Sequence, residues 1–156
     1  MEFVVRPATS SDRSELDKVS TSAIATLRKT YRPTRHAVAQ RRSSEQELKQ
    51  LVATHDERVV GSVEYRLDKD RLHFLSLFVH HEYRRQGVAR CLVEQLVVLA
   101  RQAGIDQLTA YTIKETGAWR AFERLGFGVI REEATDLYES DESPHMTEVY
   151  LRRVVD

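Results

Sequence analysis

The sequence has one cysteine, no net charge and no long apolar run, and each of these absences excludes a class of protein. A lone Cys91 cannot form the internal disulfides on which many small secreted domains depend. Basic and acidic side chains balance at 24 each, so overall charge gives no general attraction to nucleic acid or to an anionic membrane. No apolar stretch is long enough to span a bilayer, and the first residues lack an apolar signal segment. These absences predict a cytoplasmic protein without membrane or nucleic-acid partners.

The 156 residues have the length of one ordinary domain and contain neither an internal repeat nor a low-complexity tract, so we expect a single domain over residues 1–156. The almost unbroken apolar run at 72–79 predicts a central strand covered on both faces. The order of strand and helix patterns predicts an α/β (α+β) fold, with helices on the faces of a mixed sheet. Strands are expected at 3–6, 51–56, 58–67, 72–79, 106–113, 127–131 and 146–154, and helices from the capping residues 9–12 to 27, and at 34–47, 88–103 and 116–126.

A glycine and neighbouring arginines lie at the start of the helix expected at 88–103, in the stretch RRQGVA from Arg84 to Ala89. The first turn of a helix leaves backbone N–H groups without partners, and the helix dipole adds positive potential there. Gly87 leaves the approach to these groups open, and arginine side chains add charge-assisted hydrogen bonds. The stretch lacks the ending of a P-loop and the three glycines of the dinucleotide fingerprint. It therefore predicts a pyrophosphate site of another kind.

RRQGVA resembles the pyrophosphate-binding signature of the GCN5-related N-acetyltransferases, which is Arg or Gln, two residues, Gly, any residue, and Gly or Ala. Two further segments extend the resemblance across most of the chain. VVRPATSSD is similar to the family's first strand and turn, and AWRAFERLGFGVI to its later helix and strand. The middle segment, LSLFVHHEYRRQGVARCLVEQL, is similar to its central strand, loop and helix. The three segments occur in the family's order and spacing.

The resemblance implies a strongly twisted mixed sheet of about seven strands that is splayed at its middle. Acetyl-CoA, the implied co-substrate, would lie in the gap between the strands at 72–79 and 106–113. An open strand edge exposes unpaired N–H and C=O groups, which the amide-bearing pantetheine arm can satisfy. The family's pattern assigns the pantetheine arm to the backbone of Leu77, Phe78 and Val79. It assigns the pyrophosphate to Arg84, Arg85, Gln86, Gly87, Val88, Ala89 and Arg90.

The chain departs from the family pattern at the residues that handle protons. Many family members have a tyrosine as proton donor where this chain has Phe122, and an asparagine where it has Glu115. At the position where some members have a glutamate as general base, this chain has His73, which titrates near neutral pH and is our candidate base. The alternative is a histidine half-buried on the sheet. Tyr111 and Tyr138 are candidate replacement donors.

The histidines and the cysteine do not form a metal-ligand pattern. The six histidines are scattered, and the adjacent His80 and His81 at a strand end are expected to point to opposite faces. Cys91 is expected on the inward side of its helix as a small buried thiol, not as a nucleophile. We therefore predict no metal.

Two segments of opposite charge are expected to border the acceptor groove, as their counterparts do in the family. Residues 18–44 contain seven basic side chains and no acidic one, and residues 132–142 contain six acidic side chains and no basic one. An acidic border favours a cationic amine, whereas a basic border favours an acceptor that carries a carboxylate or phosphate. The alternatives are that both segments are solvated faces, or that they pair with each other within or across a dimer.

These observations predict an acetyltransferase that moves an acetyl group from acetyl-CoA to a primary amine of a small molecule or peptide, by direct attack in a ternary complex. The changes at Phe122 and Glu115 keep a second hypothesis open, a catalytically weak acyl-CoA-binding sensor or interaction protein. The final strand is expected at an edge of the sheet, which favours a homodimer.

Overall fold

The structure is a computed structural model that describes residues 2–35, 37 and 47–156. Most of the helix predicted at 34–47 lies outside the described residues. Within them, the helices are α1 (Arg13–Leu27), α2 (Val88–Gln102) and α3 (Trp119–Arg124). The strands are β1 (Val4–Pro7), β2 (Arg32–Pro33), β3 (Lys49–His55), β4 (Arg58–Leu67), β5 (Leu72–Val79), β6 (Gln107–Ile113), β7 (Gly128–Thr135), β8 (Tyr138–Glu139) and β9 (Met146–Val154).

Seven strands form one sheet in the order β1–β3–β4–β5–β6–β9–β7. Neighbouring strands are antiparallel except β5 and β6, which are parallel and are connected through α2. The mixed sheet of about seven strands is therefore confirmed. The hairpin between β3 and β4 turns at Asp56 and Glu57, both with left-handed backbone (φ +49° and +65°), as a tight two-residue turn requires.

Helix α2 covers one face of the sheet because its apolar residues recur every three or four positions. Its inward side chains are buried in the main core, where they pack with residues from strands in both halves of the sheet. Gly61 on β4 allows a close approach, since a Cβ atom there would lie 2.6 Å from Cγ1 of Val88. Gly104, with φ +71°, ends the helical segment in the left-handed conformation that favours glycine.

Helix α1 covers the opposite face, where Val19 packs with Val52 and Val59 in a second, smaller core. The predicted capping residues form a capping box around the 3-10 turn at Ser10–Asp12, and Asp12 precedes α1 without a side-chain cap hydrogen bond to that helix. The backbone N–H of Thr9 donates to the carboxylate of Asp12 over 2.8 Å, and two guanidinium nitrogens of Arg6 donate to the same carboxylate over 2.7 and 2.8 Å. This pairing holds the pKa of Asp12 well below its usual range.

Two expectations for the C-terminal region are wrong. The polar connection at 132–142 is partly strand, because β7 continues to Thr135 and β8 pairs with β2. The last strand, β9, lies between β6 and β7 and is not an edge of the sheet. The sheet edges are β1 and β7, so the original reason for expecting a homodimer does not hold. No helix in the described part of the chain is long and apolar enough to cross a membrane.

Candidate active site

Strand β5 consists of an inner half (residues 72–74) and an outer half (residues 75–79) with different neighbours. The inner half pairs with β4 on one side and, at Leu72 and His73, with β6 on the other. Beyond His73 the pairing with β6 stops, and the two parallel strands diverge. The inner half is buried and the outer half is only partly buried, so the expectation of a strand covered on both faces is wrong for the outer half.

The divergence begins beside a β-bulge. Ser62 of β4 pairs with Phe78 and Glu64 pairs with Leu75, so Ser76 and Leu77 together lie opposite one residue of β4. Ser76 has a left-handed backbone with φ +52°, which is unusual for a residue other than glycine. The bulge turns β5 away from regular pairing. The outer half therefore presents backbone N–H and C=O groups to the gap on the β6 side.

A cavity of about 370 Å³ occupies this gap and extends between α1 and the sheet. Its walls come from the two diverging strands, the end of α1, the β2–β8 pair and the turn before α3. Among the described residues that line it, Arg28 and Glu148 carry the formal charges, together with the titratable His73. The lining from the strands comprises His73, Phe74, Leu75, Ser76, Leu77, Phe78, Ala110, Tyr111, Thr112, Ile113 and Glu148.

The predicted phosphate loop connects the outer end of β5 to the N-terminus of α2. Gly87 caps the helix with φ +89°, and the space in front of its missing side chain is open, with no atom within 4 Å of a built Cβ. Arg85 also has a left-handed backbone, with φ +63°. The side chains of Arg84, Arg85 and Arg90 are exposed beside this opening. The open strand edge thus leads to an unobstructed, positively charged helix N-terminus.

The sequence model of the acetyltransferase (GNAT) family matches residues 16–127. This range includes most of α1 and all of the bulged strand β5, the phosphate loop and α3. The chain belongs to the GNAT family. The predicted resemblance to this family is confirmed.

Three individual proteins are also similar to this chain. Human N-acetyltransferase 8 is 34% identical to this chain over 83 residues. The match covers 49% of this chain and 37% of the human protein. The chain thus covers little more than a third of this relative's length. The Escherichia coli ribosomal-protein-S18-alanine N-acetyltransferase is 15% identical, with a TM-score of 0.76 over 99% of this chain and 95% of the other. An Elizabethkingia anophelis GNAT acetyltransferase with acetyl-CoA bound is 13% identical, with a TM-score of 0.68 over 97% of each chain. The structural likenesses show the fold.

The structure places the predicted site residues of this GNAT domain in two groups. Leu77 and Phe78 line the cavity, while Val79 packs on the main core and pairs with Gly61. In the phosphate loop, the side chain of Val88 is buried, so this residue can offer a ligand only its backbone. Other side chains have local partners: Gln86 donates to the carbonyl of Glu82, Arg84 to Thr26 of α1, and Arg90 to the carbonyl of Arg124.

His73 lies in the inner half of β5 and is 5% exposed. Its Nδ1 atom is 2.8 Å from the hydroxyl of Thr109 on β6, and its ring is 5.3 Å from the ring of Tyr111. Burial, with a smaller contribution from the nearby Arg66 and Arg71, lowers the pKa of His73 to about 4. The histidine is therefore neutral at pH 7 and more buried than either sequence hypothesis supposed.

The residues that depart from the family pattern have structural roles. Phe122 lines the cavity and packs with Phe74 and Phe127, with ring centroids 6.1 and 5.8 Å away. The carboxylate of Glu115 accepts the backbone N–H of Thr147 over 3.0 Å and so fixes the turn before α3 to β9. Neither residue supplies a proton donor to the cavity. Tyr111 and Tyr138, the candidate replacements, both line the cavity.

The basic and acidic segments pair with each other within this chain, which was one of the predicted alternatives. Strands β2 and β8 form a two-stranded strap over the cavity. Arg32 donates to Glu139 and to Asp141, each over 3.0 Å. The rings of Tyr31 and Tyr138 pack edge to face at 5.3 Å, and both side chains line the cavity. Arg41 and Arg42 of the basic segment lie outside the described residues.

Sequence reasoning missed Glu148, which lies on β9 and lines the cavity. The sequence feature that could have identified it is an acidic residue within the alternating strand pattern of residues 146–151. Glu148 is two residues from Tyr150 and therefore lies on the same face of the strand. Burial raises the pKa of Glu148, and the facing Glu133 raises it further, against an opposing effect of Arg131.

The histidine pair after β5 differs from the expectation. The rings of His80 and His81 stack with centroids 4.5 Å apart, because the chain leaves the strand at Val79 and enters a short 3-10 turn at His81–Tyr83. In the part of the chain that the structure describes, no three His, Cys, Asp or Glu side chains are grouped to hold a metal ion. Cys91 is only partly buried on α2.

Proposed function

We propose that this GNAT domain transfers an acetyl group from acetyl-CoA to a primary amine by direct attack in a ternary complex. The observation that carries the proposal is the continuous path from the open outer half of β5 to the N-terminus of α2. One extended ligand with amide groups at one end and phosphates at the other matches this path, and acetyl-CoA has that chemistry. Residues 1–156 then act as one domain, since strands from both ends of the chain share the sheet.

The pantetheine arm is assigned to the backbone of Leu77, Phe78 and Val79, whose β6 side is unpaired. Its amides would add to the sheet as a further strand does. The pyrophosphate is assigned to the backbone N–H groups and side chains of Arg84, Arg85, Gln86, Gly87, Val88, Ala89 and Arg90. Gly87 matters most in this set, because any side chain would stand in the open space in front of the helix.

Acetyl transfer requires an uncharged amine, a polarised thioester carbonyl and a proton for the departing thiolate. Tyr111 and Tyr138 are the candidate donors for the thiolate, since both line the cavity and Phe122 has no proton to give. His73 as general base stays a prediction. A buried histidine with a pKa of about 4 is a weak proton acceptor, so we expect the rate and pH profile of His73→Ala to decide its role.

The acceptor class in this proposal is a primary amine of a small molecule or a peptide. A cavity that opens between α1 and the strap suits either kind of acceptor. With balanced charge and one cysteine, we propose the cytoplasm as the site of action. Association into a homodimer stays a prediction, for which β7 offers an edge with seven exposed residues out of eight.

Calorimetric titration with acetyl-CoA tests the binding site directly, with two matched variants. Gly87 and Gly104 flank α2 at opposite ends, both have positive φ, and both face open space. Gly87→Glu and Gly104→Glu therefore impose a similar backbone strain and add the same charge. We expect Gly87→Glu to weaken acetyl-CoA binding by at least about 100-fold, because it removes charge-assisted phosphate contacts and adds repulsion. Gly104→Glu should bind like the wild type.

Amine-dependent release of the CoA thiol then separates the enzyme from the sensor hypothesis. Binding with amine-dependent release supports the transferase. Binding without release for any primary amine supports the catalytically weak sensor. Equal binding by the wild type and Gly87→Glu would contradict the assignment of the phosphate loop.

A further inference from the structure

We infer that Glu148 binds the acceptor amine as its ammonium ion and accepts the proton that the amine must lose before attack. The acceptor class is then a cationic primary amine. This inference rests on the proposed function, since it assigns a residue of the same cavity to the same reaction.

Glu148 is placed for this role by the register of three strands. It pairs with Ile113 of β6 on one side and with Glu133 of β7 on the other. Its neighbour two residues along β9 is Tyr150, whose ring packs 4.9 Å from the ring of Tyr111. Glu148 is half-buried and lines the cavity together with residues of β5 and β6. Glu148 is therefore part of the wall of the cavity in which the acceptor is proposed to bind.

This carboxylate lacks a hydrogen-bond donor in residues 2–35, 37 and 47–156. The facing Glu133 is a like charge, and directly opposed like charges destabilise a strand pair. The nearby guanidinium of Arg131 pairs with Glu133 over 3.1 Å and lies 5.1 Å above the ring of Tyr150. A partly buried carboxylate without a donor gains free energy when a cation binds beside it. The cavity thus has a place for an ammonium group.

The other walls near Glu148 suit a cation. Tyr31, Tyr111 and Tyr138 line the same cavity, and aromatic faces attract ammonium ions. His73 is uncharged at neutral pH, and Arg28 is exposed at the end of α1.

The charged groups next to Glu148 on the turn before α3 are already engaged. Lys114 pairs with Glu132 over 2.9 Å, and Glu115 accepts the N–H of Thr147. Glu133 and Arg131 on β7 act on Glu148 electrostatically. The other charged or titratable residues that line the same cavity are Arg28, Tyr31, His73, Tyr111 and Tyr138. Glu148 is therefore the carboxylate available to an amine in the described cavity wall.

The proton balance of the proposed step is complete. One proton of the bound ammonium passes to Glu148, and the freed amine forms the C–N bond with the thioester carbonyl carbon. As the tetrahedral intermediate breaks its C–S bond, a second proton leaves the nitrogen and one is delivered to the thiolate, giving the CoA thiol. The third proton stays on the amide nitrogen, and Glu148 releases its proton to water. The overall reaction releases one proton per cationic amine.

The experiment measures kcat/KM against pH with n-butylamine, a cation at neutral pH, and with O-methylhydroxylamine, which is uncharged there. Glu148→Gln should lower kcat/KM for n-butylamine by about 100-fold or more and remove the acidic limb of the profile. The loss with O-methylhydroxylamine should be below about threefold, because this nucleophile has no proton to give up before attack.

Variants of residues near Glu148 should shift the acidic limb of the pH profile, which a purely structural role of Glu148 would not predict. Glu133→Gln should keep the rate at pH 8 and shift the acidic limb to lower pH, because it removes the like charge. Arg131→Gln should shift the limb to higher pH. Glu132→Gln is the matched control, since Glu132 pairs with Lys114, and should leave the limb unchanged.

The failures of the two proposals are distinguishable. If the wild-type protein releases no CoA with either amine, both the proposed transferase activity and the proposed role of Glu148 are contradicted. Should the wild type be active while Glu148→Gln retains kcat/KM within threefold and keeps the acidic limb, the inference alone is overturned. Acetyl-CoA binding by Glu148→Gln, measured by calorimetry, should equal that of the wild type in the supporting case.

Discussion

The inner and outer halves of β5 have similar apolar sequences but differ in burial and in strand pairing. Residues 72–74 are buried and have a paired strand on both sides at Leu72 and His73. Residues 75–79 are partly buried and pair only with β4. The boundary is the bulge at Ser76. One strand thus changes, within eight residues, from a fully paired core element to the open edge that we propose binds the co-substrate. Backbone pairing, not residue type, makes this difference.

A leucine-to-alanine substitution in each half of β5 should lower the free energy of unfolding by different amounts. Leu72 is fully buried, whereas Leu75 is partly buried in the cavity wall. We expect Leu72→Ala to lower the free energy of unfolding by about 2–5 kcal/mol, because it leaves a cavity in a packed core. Leu75→Ala should cost only about 1 kcal/mol, since less apolar area leaves water at that position. Urea unfolding of both variants measures the difference, and equal losses would contradict the division.

The inner half also predicts a pH dependence of stability through His73. Its folded-state pKa of about 4 lies below the usual value of 6.5, so the unfolded chain binds the proton first as the pH falls. The free energy of unfolding should therefore drop by roughly 3 kcal/mol between pH 6.5 and 4. His73→Asn should flatten this part of the profile in urea unfolding from pH 7 to 4.5, and the exposed-site control His145→Asn should not. A wild-type profile that is flat over this range would argue against burial of the imidazole.

Substitutions at Ser76 can disfavour or favour the backbone conformation of the bulge. Ser76 has φ +52°, a conformation that β-branched side chains disfavour and glycine accepts. We expect Ser76→Val to cost about 1–2 kcal/mol of stability and to weaken acetyl-CoA binding, because it favours extended backbone where the strand must turn. Ser76→Gly should be within about 1 kcal/mol of the wild type and bind normally. Thermal unfolding and calorimetry of the pair test this, and equal binding by both variants would show that the bulge does not shape the site.

The sequence was most informative where the site is local in the chain. The apolar run of β5, the glycine and arginines of the loop, and the periodicity of α2 are contiguous, so their order alone predicted the path for the co-substrate. The same holds for the caps before α1, because Asp12 and Thr9 are three residues apart.

The acceptor side could not be predicted in the same way, since it depends on contacts between distant residues. Arg32 meets Glu139 across 107 positions, and Glu148 meets Glu133 only through the register of β7 and β9. The burial of His73 depends on Thr109 and on the parallel pairing of β5 with β6. Stacking of His80 and His81 depends on where β5 ends. No local pattern in the sequence specifies these pairings.

Amide hydrogen exchange along β5, with and without acetyl-CoA, tests the central claim most directly. We expect the amides of residues 72–74 to exchange slowly in both states. The amides of residues 75–79 that face β6 should exchange rapidly in the free protein and become protected when acetyl-CoA is added, because the pantetheine arm takes the place of a paired strand. Gly87→Glu should lose this protection. Saturable binding of acetyl-CoA that leaves exchange in residues 75–79 unchanged would contradict the claim that the outer half of β5 is the binding edge.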